Sequence, residues 1–332
     1  MPSSALSKTI LSSSILLVVL LGVVIISIGL GTTGFDVTEM LKGLWKGSTD
    51  AKTETILMEY RLPRTLLAAI AGAGLACAGV IFQAVLRNPL ADPYLIGISG
   101  GGSLGAVLCI TMFGQSRVLG VSSMAFVGSL IAVGLVYGLA SLKRGASHVN
   151  TIILAGVIVG ALMNALMLLI ISVTGSDEMQ RILFWFLGDF CLAEYRYACA
   201  AAGVTCLGWA AAFSQSNRLN LLMIGDESAA QLGVEVSRMR TFFIVVAALI
   251  TGTVVSVSGT VGFVGLVVPH MLRLAIGPDN RVLLPASFLG GAAFLAGADC
   301  IARVVAYPTE LPVGVITALI GAPCFLYLLL RR

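Results

Sequence analysis

The chain has 332 residues, of which 58% are hydrophobic and only 11% charged, with a formal net charge of +4. Ordinary soluble domains carry about 25% charged residues, so this composition excludes a soluble globular protein and points to a polytopic membrane protein. The small net charge and scattered basic residues exclude a nucleic-acid partner, and unbroken apolar runs such as SILLVVLLGVVIISIGLG exclude the alternating pattern of a membrane β-barrel.

The expected architecture is therefore an all-α bundle. A crossing helix needs about 20 predominantly apolar residues, and in chain order such spans are read at 10–32, 64–84, 94–113, 119–141, 150–174, 192–213, 240–259, 283–302 and 312–330. A shorter, glycine-broken piece at 261–276 brings the count to about ten. The first run is longer than the ~7–15 residues of a signal-peptide core and lacks an A-x-A-like cleavage site, so it reads as a retained helix. The whole of 1–332 reads as one transmembrane domain. Residues 31–63 form an external loop with room for a short amphipathic helix in DVTEMLKGLWKG.

The second span ends in RNPLADPYLIGISGGGSLG, where two prolines and five glycines interrupt the hydrocarbon pattern. The residue before a proline is pushed out of helical geometry, so Asn88-Pro89 and Asp92-Pro93 predict a tight corner. The glycines after it match G-x-G-x-x-G, but neither a preceding strand nor an acidic ribose partner accompanies them, so no dinucleotide site is expected. They instead predict close backbone packing of the next helix. The fifth span offers Met163, Asn164 and Met167 but no histidine or arginine, which disfavours haem as a ligand.

Residues 214–240 form a second long joint. In MIGDESAAQLGVEVSRMR, Asp226 and Glu227 open a short helix where carboxylates suit the dipole, and Gly233 after Leu232 supplies a C-terminal stop. Ala229, Ala230 and Leu232 are then available to fill a groove on another protein. The basic joint residues, among them Lys8, Arg87, Lys143, Arg144, Arg218, Arg238 and Arg240, fall on one side, while Asp36, Glu59, Asp177, Asp189 and Glu310 fall on the other. The positive-inside rule makes the first side cytoplasmic, with both termini there.

Chemistry is sparse. His148 and His270 read as structural, and the seven cysteines, without a C-x-x-C, read as small core residues. Asp299 and Arg303, spaced i,i+4, are the clear intramembrane charges and read as a self-satisfying pair. Arg303 and Arg61, which lies ahead of Pro63, are placed to present positive charge outward. Few acidic or unwound polar sites at mid-membrane argue against an ion-coupled secondary carrier, the reading from another class. No lysine lies between a glycine and a Ser or Thr, so the P-loop is absent. The chain is expected not to be an enzyme, and energy must come from a separate subunit.

RLPRTLLAAIAGAGLACAGVIFQAVLRNPLADPYLIGIS, IILAGV, WFLGDF, GDESAAQLGV, GTVGFVGLVVPHMLRL, RVLLPAS and ELPVGVITALIGAPCFLYLL closely resemble the permease subunits of type II ABC importers for ferric siderophores, haem and cobalamin, in matching order from about residue 55 onwards. The resemblance implies a homodimer in a bacterial or archaeal inner membrane, two cytoplasmic ATPases that bind ATP and Mg, and an external binding protein that delivers a metal chelate. No cofactor or metal is expected in this chain. It implies that Gly225, Asp226, Glu227, Ala229, Leu232 and Gly233 dock on the ATPase, and that Arg61 and Arg303 meet acidic residues of the binding protein. A cytoplasmic gate is implied at Asn88, Leu90, Val149 and Asn150. Val149 is more apolar than the hydroxyl residue associated with cobalamin members, and a ferric siderophore is the first expected substrate, with cobalamin the alternative.

Overall fold

The computed structural model describes residues 2–30, 55–113, 118–142, 148–191, 193–306 and 309–330. Among these the chain forms thirteen α-helices and no strand: α1 (Pro2–Gly29), α2 (Leu62–Val85), α3 (Ile98–Phe113), α4 (Val118–Leu142), α5 (His148–Ser172), α6 (Ser176–Phe186), α7 (Tyr195–Ser214), α8 (Ser216–Ile224), α9 (Asp226–Gln231), α10 (Val236–Ser258), α11 (Val264–Ile276), α12 (Asn280–Val304) and α13 (Val313–Leu330). Among the described residues seven helices are long and apolar enough to cross a membrane, and the shorter apolar α3, α11 and α13 lie where the other three segments are expected.

Several boundaries move, each for a physical reason. The second span begins at Ile56 rather than 64, because a π-helical turn, Ile56–Arg61, runs directly into α2. Pro63 falls in the first turn of α2, where its missing N–H costs little. Residues 55–63 of the expected external loop are therefore helical, while the expected amphipathic helix in DVTEMLKGLWKG lies outside the described residues. The first helix starts at Pro2 and ends at Gly29. α10 starts at Val236, not 240, because the Arg240 charge is neutralised by a carboxylate and can be buried within the helix. α6 is an unforeseen helix; its signal is an acidic first turn followed by apolar Ile182, Leu183, Trp185 and Phe186 at helical spacing.

α2 is the axis of the bundle, packed by α12, α10, α11 and α7. Its small residues make that possible: a Cβ placed on Gly72 would lie 2.1 Å from the carbonyl oxygen of Gly291 on α12. The same device joins α3 to α4, where a Cβ on Gly101 would come within 2.3 Å of the Gly128 carbonyl oxygen. The glycines after the Asp92-Pro93 corner thus serve backbone contact, as small residues do between membrane helices. One apolar core, around Phe82, Phe243 and Leu283, fills the half of the bundle near the end of α2; another, around Leu67, Phe190 and Leu295, fills the half near its start.

Between α10 and α11 the backbone leaves helical geometry inside the bundle, with Phe263 at φ +69°. Non-helical backbone is tolerated at membrane depth only when its polar groups are paired within protein. Tyr94 supplies the pairing: its hydroxyl donates to the Val261 carbonyl at 3.0 Å and accepts from the Val261 N–H at 3.1 Å. Thr260 Oγ1 donates to the Phe186 carbonyl, and Gln83 Nε2 reaches the carbonyls of Gly265 and Leu266, each at 3.3 Å. A residue of the proline corner therefore closes the break between two distant helices.

Candidate functional site

The charged residues collect at the two ends of the bundle. At one end α8 and α9 stand beyond the ends of α7 and α10. Asn220 anchors α8: its Nδ2 donates to Asp279 Oδ1 at 2.8 Å, and its Oδ1 accepts from the backbone N–H and Nδ2 of Asn280 at 2.9 and 2.8 Å. Asp279 in turn caps α12, accepting from the Arg281 N–H at 3.0 Å. The Arg281 guanidinium, with help from Asn220, holds the Asp279 carboxyl down at about 2.

Gly225, at φ +128°, lets the chain turn between α8 and α9. α9 ends as its sequence predicts. Gly233 takes φ +83°, its N–H bonds the Ala230 carbonyl at 2.9 Å, and the Val234 N–H bonds the Ala229 carbonyl at 3.0 Å, the paired bonds of a Schellman stop. Glu227, Ala230, Leu232 and Gly233 are exposed, Leu232 to 62%. Ala229 is not: it is fully buried against the bundle, because a six-residue helix has one face to give the core and Ala229 lies on it. Asp226 also turns inward. Its two oxygens accept from Arg240 Nη2 at 2.7 and 2.8 Å, and Oδ1 lies 3.2 Å from Arg87 Nη2.

The proline corner lies beside this helix. Asn88 Oδ1 accepts from the Leu90 N–H at 2.9 Å, closing a local turn. Asp92 is extended (φ −107°, ψ 145°) before Pro93 and caps the 3-10 turn Pro93–Ile96 by accepting from the Tyr94 N–H at 2.8 Å. Burial pushes the Asp92 carboxyl up to about 6 despite that hydrogen bond. The 3-10 turn rests on α5, where a Cβ on Gly156 would lie 2.3 Å from the Leu95 carbonyl oxygen. The expected gate residues therefore divide. Leu90 at the corner and Asn150 in the first turn of α5 are exposed, Asn88 is half-buried, and Val149 belongs to the core that also contains Leu86 and Ala91. Its apolar side chain suits that burial.

Farther along α5, Met163 and Met167 face inward, whereas Asn164 lines a cavity of about 210 Å³ with Tyr94, Ser99, Ser103 and Thr260. Those hydroxyl residues were not singled out in the sequence, because single serines in apolar helices more often bond their own backbone.

At the opposite end a second ionic cluster is centred on fully buried Asp299, with Glu310 at its half-exposed edge. Asp299 is paired with Arg303 at 3.2 Å, as its spacing predicts, but also with Arg64 at 3.0 Å, and Arg64 reaches Glu310 Oε2 at 2.6 Å. Burial opposes ionisation of Glu310, yet the Arg64 hydrogen bond holds its carboxyl below the usual range. The Asp299–Arg303 pair is thus not self-contained. Arg64 was missed because its partners lie 235 and 246 residues away. Arg303 does not point outward: it is 4% exposed and donates to the carbonyl and hydroxyl oxygens of Ser27 at 2.9 and 2.6 Å. Arg61 donates to the carbonyls of Ile28 and Gly29 at 3.0 and 3.1 Å, at the orphan carbonyl end of α1. Both arginines tie α1 to the bundle, so in this conformation neither guanidinium is an outward-projecting charge.

The remaining candidates settle as packing. His270 is buried in α11 with its ring edge-on to Phe325 of α13. Cys77, Cys109 and Cys300 are core residues, whereas Cys191, Cys199 and Cys206 are exposed, which corrects the expectation that all were buried. The Cys191 thiol lies 3.4 Å from Glu310.

Residues 17–331 match the model of the FecCD transport family. The chain is 43% identical over 279 residues to the cobalamin import system permease protein BtuC of Halobacterium salinarum, covering 84% of this chain and 74% of that protein. It is 36% identical over 315 residues to the hemin transport system permease protein HmuU of Yersinia pestis, covering 93% and 94%. A solved structure described as an inward-facing metal-chelate type ABC transporter superposes over 100% of both chains, with a TM-score of 0.85 at 30% identity.

Proposed function

Because the chain belongs to the FecCD transport family, we propose that it is the membrane-spanning subunit of an ATP-driven importer that passes a metal-bound organic chelate into the cell by alternating access. The observation that carries this reading is the superposition over the full chain on a metal-chelate type ABC transporter. The end bearing α8 and α9 is assigned to the cytoplasm, and the end bearing Asp299 to the outside. α1 then begins and α13 ends on the cytoplasmic side of an inner membrane. Two copies of the chain flank the path, an ATPase subunit that binds ATP and Mg seats on each α9, and a binding protein delivers substrate from outside.

The identity to a cobalamin permease makes cobalamin the first substrate to test. A ferric siderophore is the second reading, supported by the similarity to a metal-chelate type ABC transporter. Haem is third: the span 150–174 carries Asn164 and no histidine or arginine.

Within the expected ATPase-docking set we propose Glu227, Ala230 and Leu232 as the main contact, a reading supported by their exposure beside buried Ala229 and by the pairing of Asp226 with Arg240. Purification in mild detergent should bring an ATP-hydrolysing subunit with the wild-type chain, and Leu232→Glu should release it. Uptake of labelled cobalamin and of ferric siderophores by cells lacking their own permeases then assigns the cargo. A chain that transports with no ATPase attached, driven by an ion gradient, overturns the proposal.

A further inference from the structure

Two helices at the α9 end stop with the same hydrogen-bond pattern but different residues. In α9 the left-handed position is Gly233, the residue that adopts positive φ without a steric penalty. In α2 that position is Arg87, at φ +50°. Its N–H bonds the Ala84 carbonyl at 3.2 Å and the Asn88 N–H bonds the Gln83 carbonyl at 3.1 Å, again the paired bonds of a Schellman stop. Among the described residues only Arg87 and Phe263 adopt positive φ without being glycine. An arginine there breaks a local rule, and such breaks concentrate where function needs the side chain.

The side chain spans the gap between two parts of the permease. Arg87 stands immediately before Asn88, Pro89 and Leu90, and its guanidinium reaches Asp226 at the first position of α9. α9 packs on α8 and α10, and Arg87 makes the ion pair that joins α9 to the corner. Asp226 is held from the other side by buried Arg240, so the carboxylate moves with α9 and the start of α10. Arg87 and Asp226 keep 34% and 43% of their side-chain surface exposed, so the link lies at the rim of the bundle and its loss strands no buried charge on either partner.

We propose that the Arg87–Asp226 ion pair is the strut through which displacement of α9 moves the proline corner at Asn88–Leu90. Arg87 is a positioning residue: it carries motion from the ATPase-bearing helix to the gate without touching either substrate or nucleotide. The inference rests on the permease reading above.

The test uses the whole assembly, wild-type chain with its ATPase and binding protein in proteoliposomes, and follows thermal stability, ATPase retention, ATP hydrolysis and uptake of the transported chelate. Arg87→Gly restores the residue the turn prefers, so the complex should be at least as heat-resistant as wild type and keep its ATPase. Uptake per ATP hydrolysed should nevertheless fall about fivefold, the low end of coupling between sites. Arg87→Lys, which keeps the charge, should recover part of the loss. Introduced into an Asp226→Asn chain, Arg87→Gly should cause no further fall.

Equal losses from Arg87→Gly in both backgrounds, or wild-type uptake per ATP in Arg87→Gly, overturn the strut. So does loss of the ATPase or of heat resistance in Arg87→Gly, since Arg87 would then serve assembly. A wild-type chain that retains no ATPase overturns the permease reading and the strut together, and that result is distinct from an assembled, hydrolysing complex indifferent to Arg87.

Discussion

Each end of the bundle holds one aspartate between two arginines, and the two clusters differ in water. Asp299 has no exposed side-chain surface, and its partners Arg64 and Arg303 expose 11% and 5%. Asp226 is 43% exposed and Arg87 34%, with Arg240 alone buried. The same charges therefore do different work. At the Asp299 end the ions were taken out of water, so each depends on its partners, and the cluster fixes α1, α2, α12 and the approach to α13. At the Asp226 end water screens the pair, so it contributes little to stability and can rearrange.

Removing one member of each cluster is the sharpest way to break that contrast. Asp299→Asn leaves buried Arg303 without a countercharge and Arg64 with Glu310 alone, and should destabilise the chain by about 3–5 kcal/mol, read as lost folded yield or a lowered unfolding temperature in detergent. Tyr94→Phe comes next: it strands both backbone groups of Val261 inside the bundle and should cost about 1–3 kcal/mol. Arg238→Ala, which removes a pair with 79% and 74% exposure, should stay within about 0.5 kcal/mol of wild type in the same assay.

The Asp226 half also carries two carboxylates with opposite pH signatures. Asp92, pushed up to about 6, favours the protonated form when folded, so its contribution becomes more favourable as pH falls from about 6 toward 4. Asp279, held at about 2, contributes fully above about 4 and loses that contribution as pH falls through 2. Asp92→Asn should flatten the first window of a stability-versus-pH curve, and Asp279→Asn the second. Exchange of those two effects would refute the burial difference between the sites.

Much of the functional surface was legible because its signals are local. Gly233 announces the end of α9, the glycines after Pro93 announce close packing, and the exposed Leu232 follows from an amphipathic helix outside the bilayer. The sequence also marked the long crossing segments, since hydrocarbon thickness sets a length that seven of the described helices meet. Tertiary structure alone decided the partners of the charges. Arg64 finds Asp299 and Glu310, Tyr94 finds Val261, and Asp226 bridges Arg87 and Arg240. Arg61 and Arg303, read as outward charges, bind the last turn of α1 instead. Periodicity and length act within a few turns of chain, whereas the cost of burying a charge is met by whichever opposite charge the packing of distant helices brings within reach.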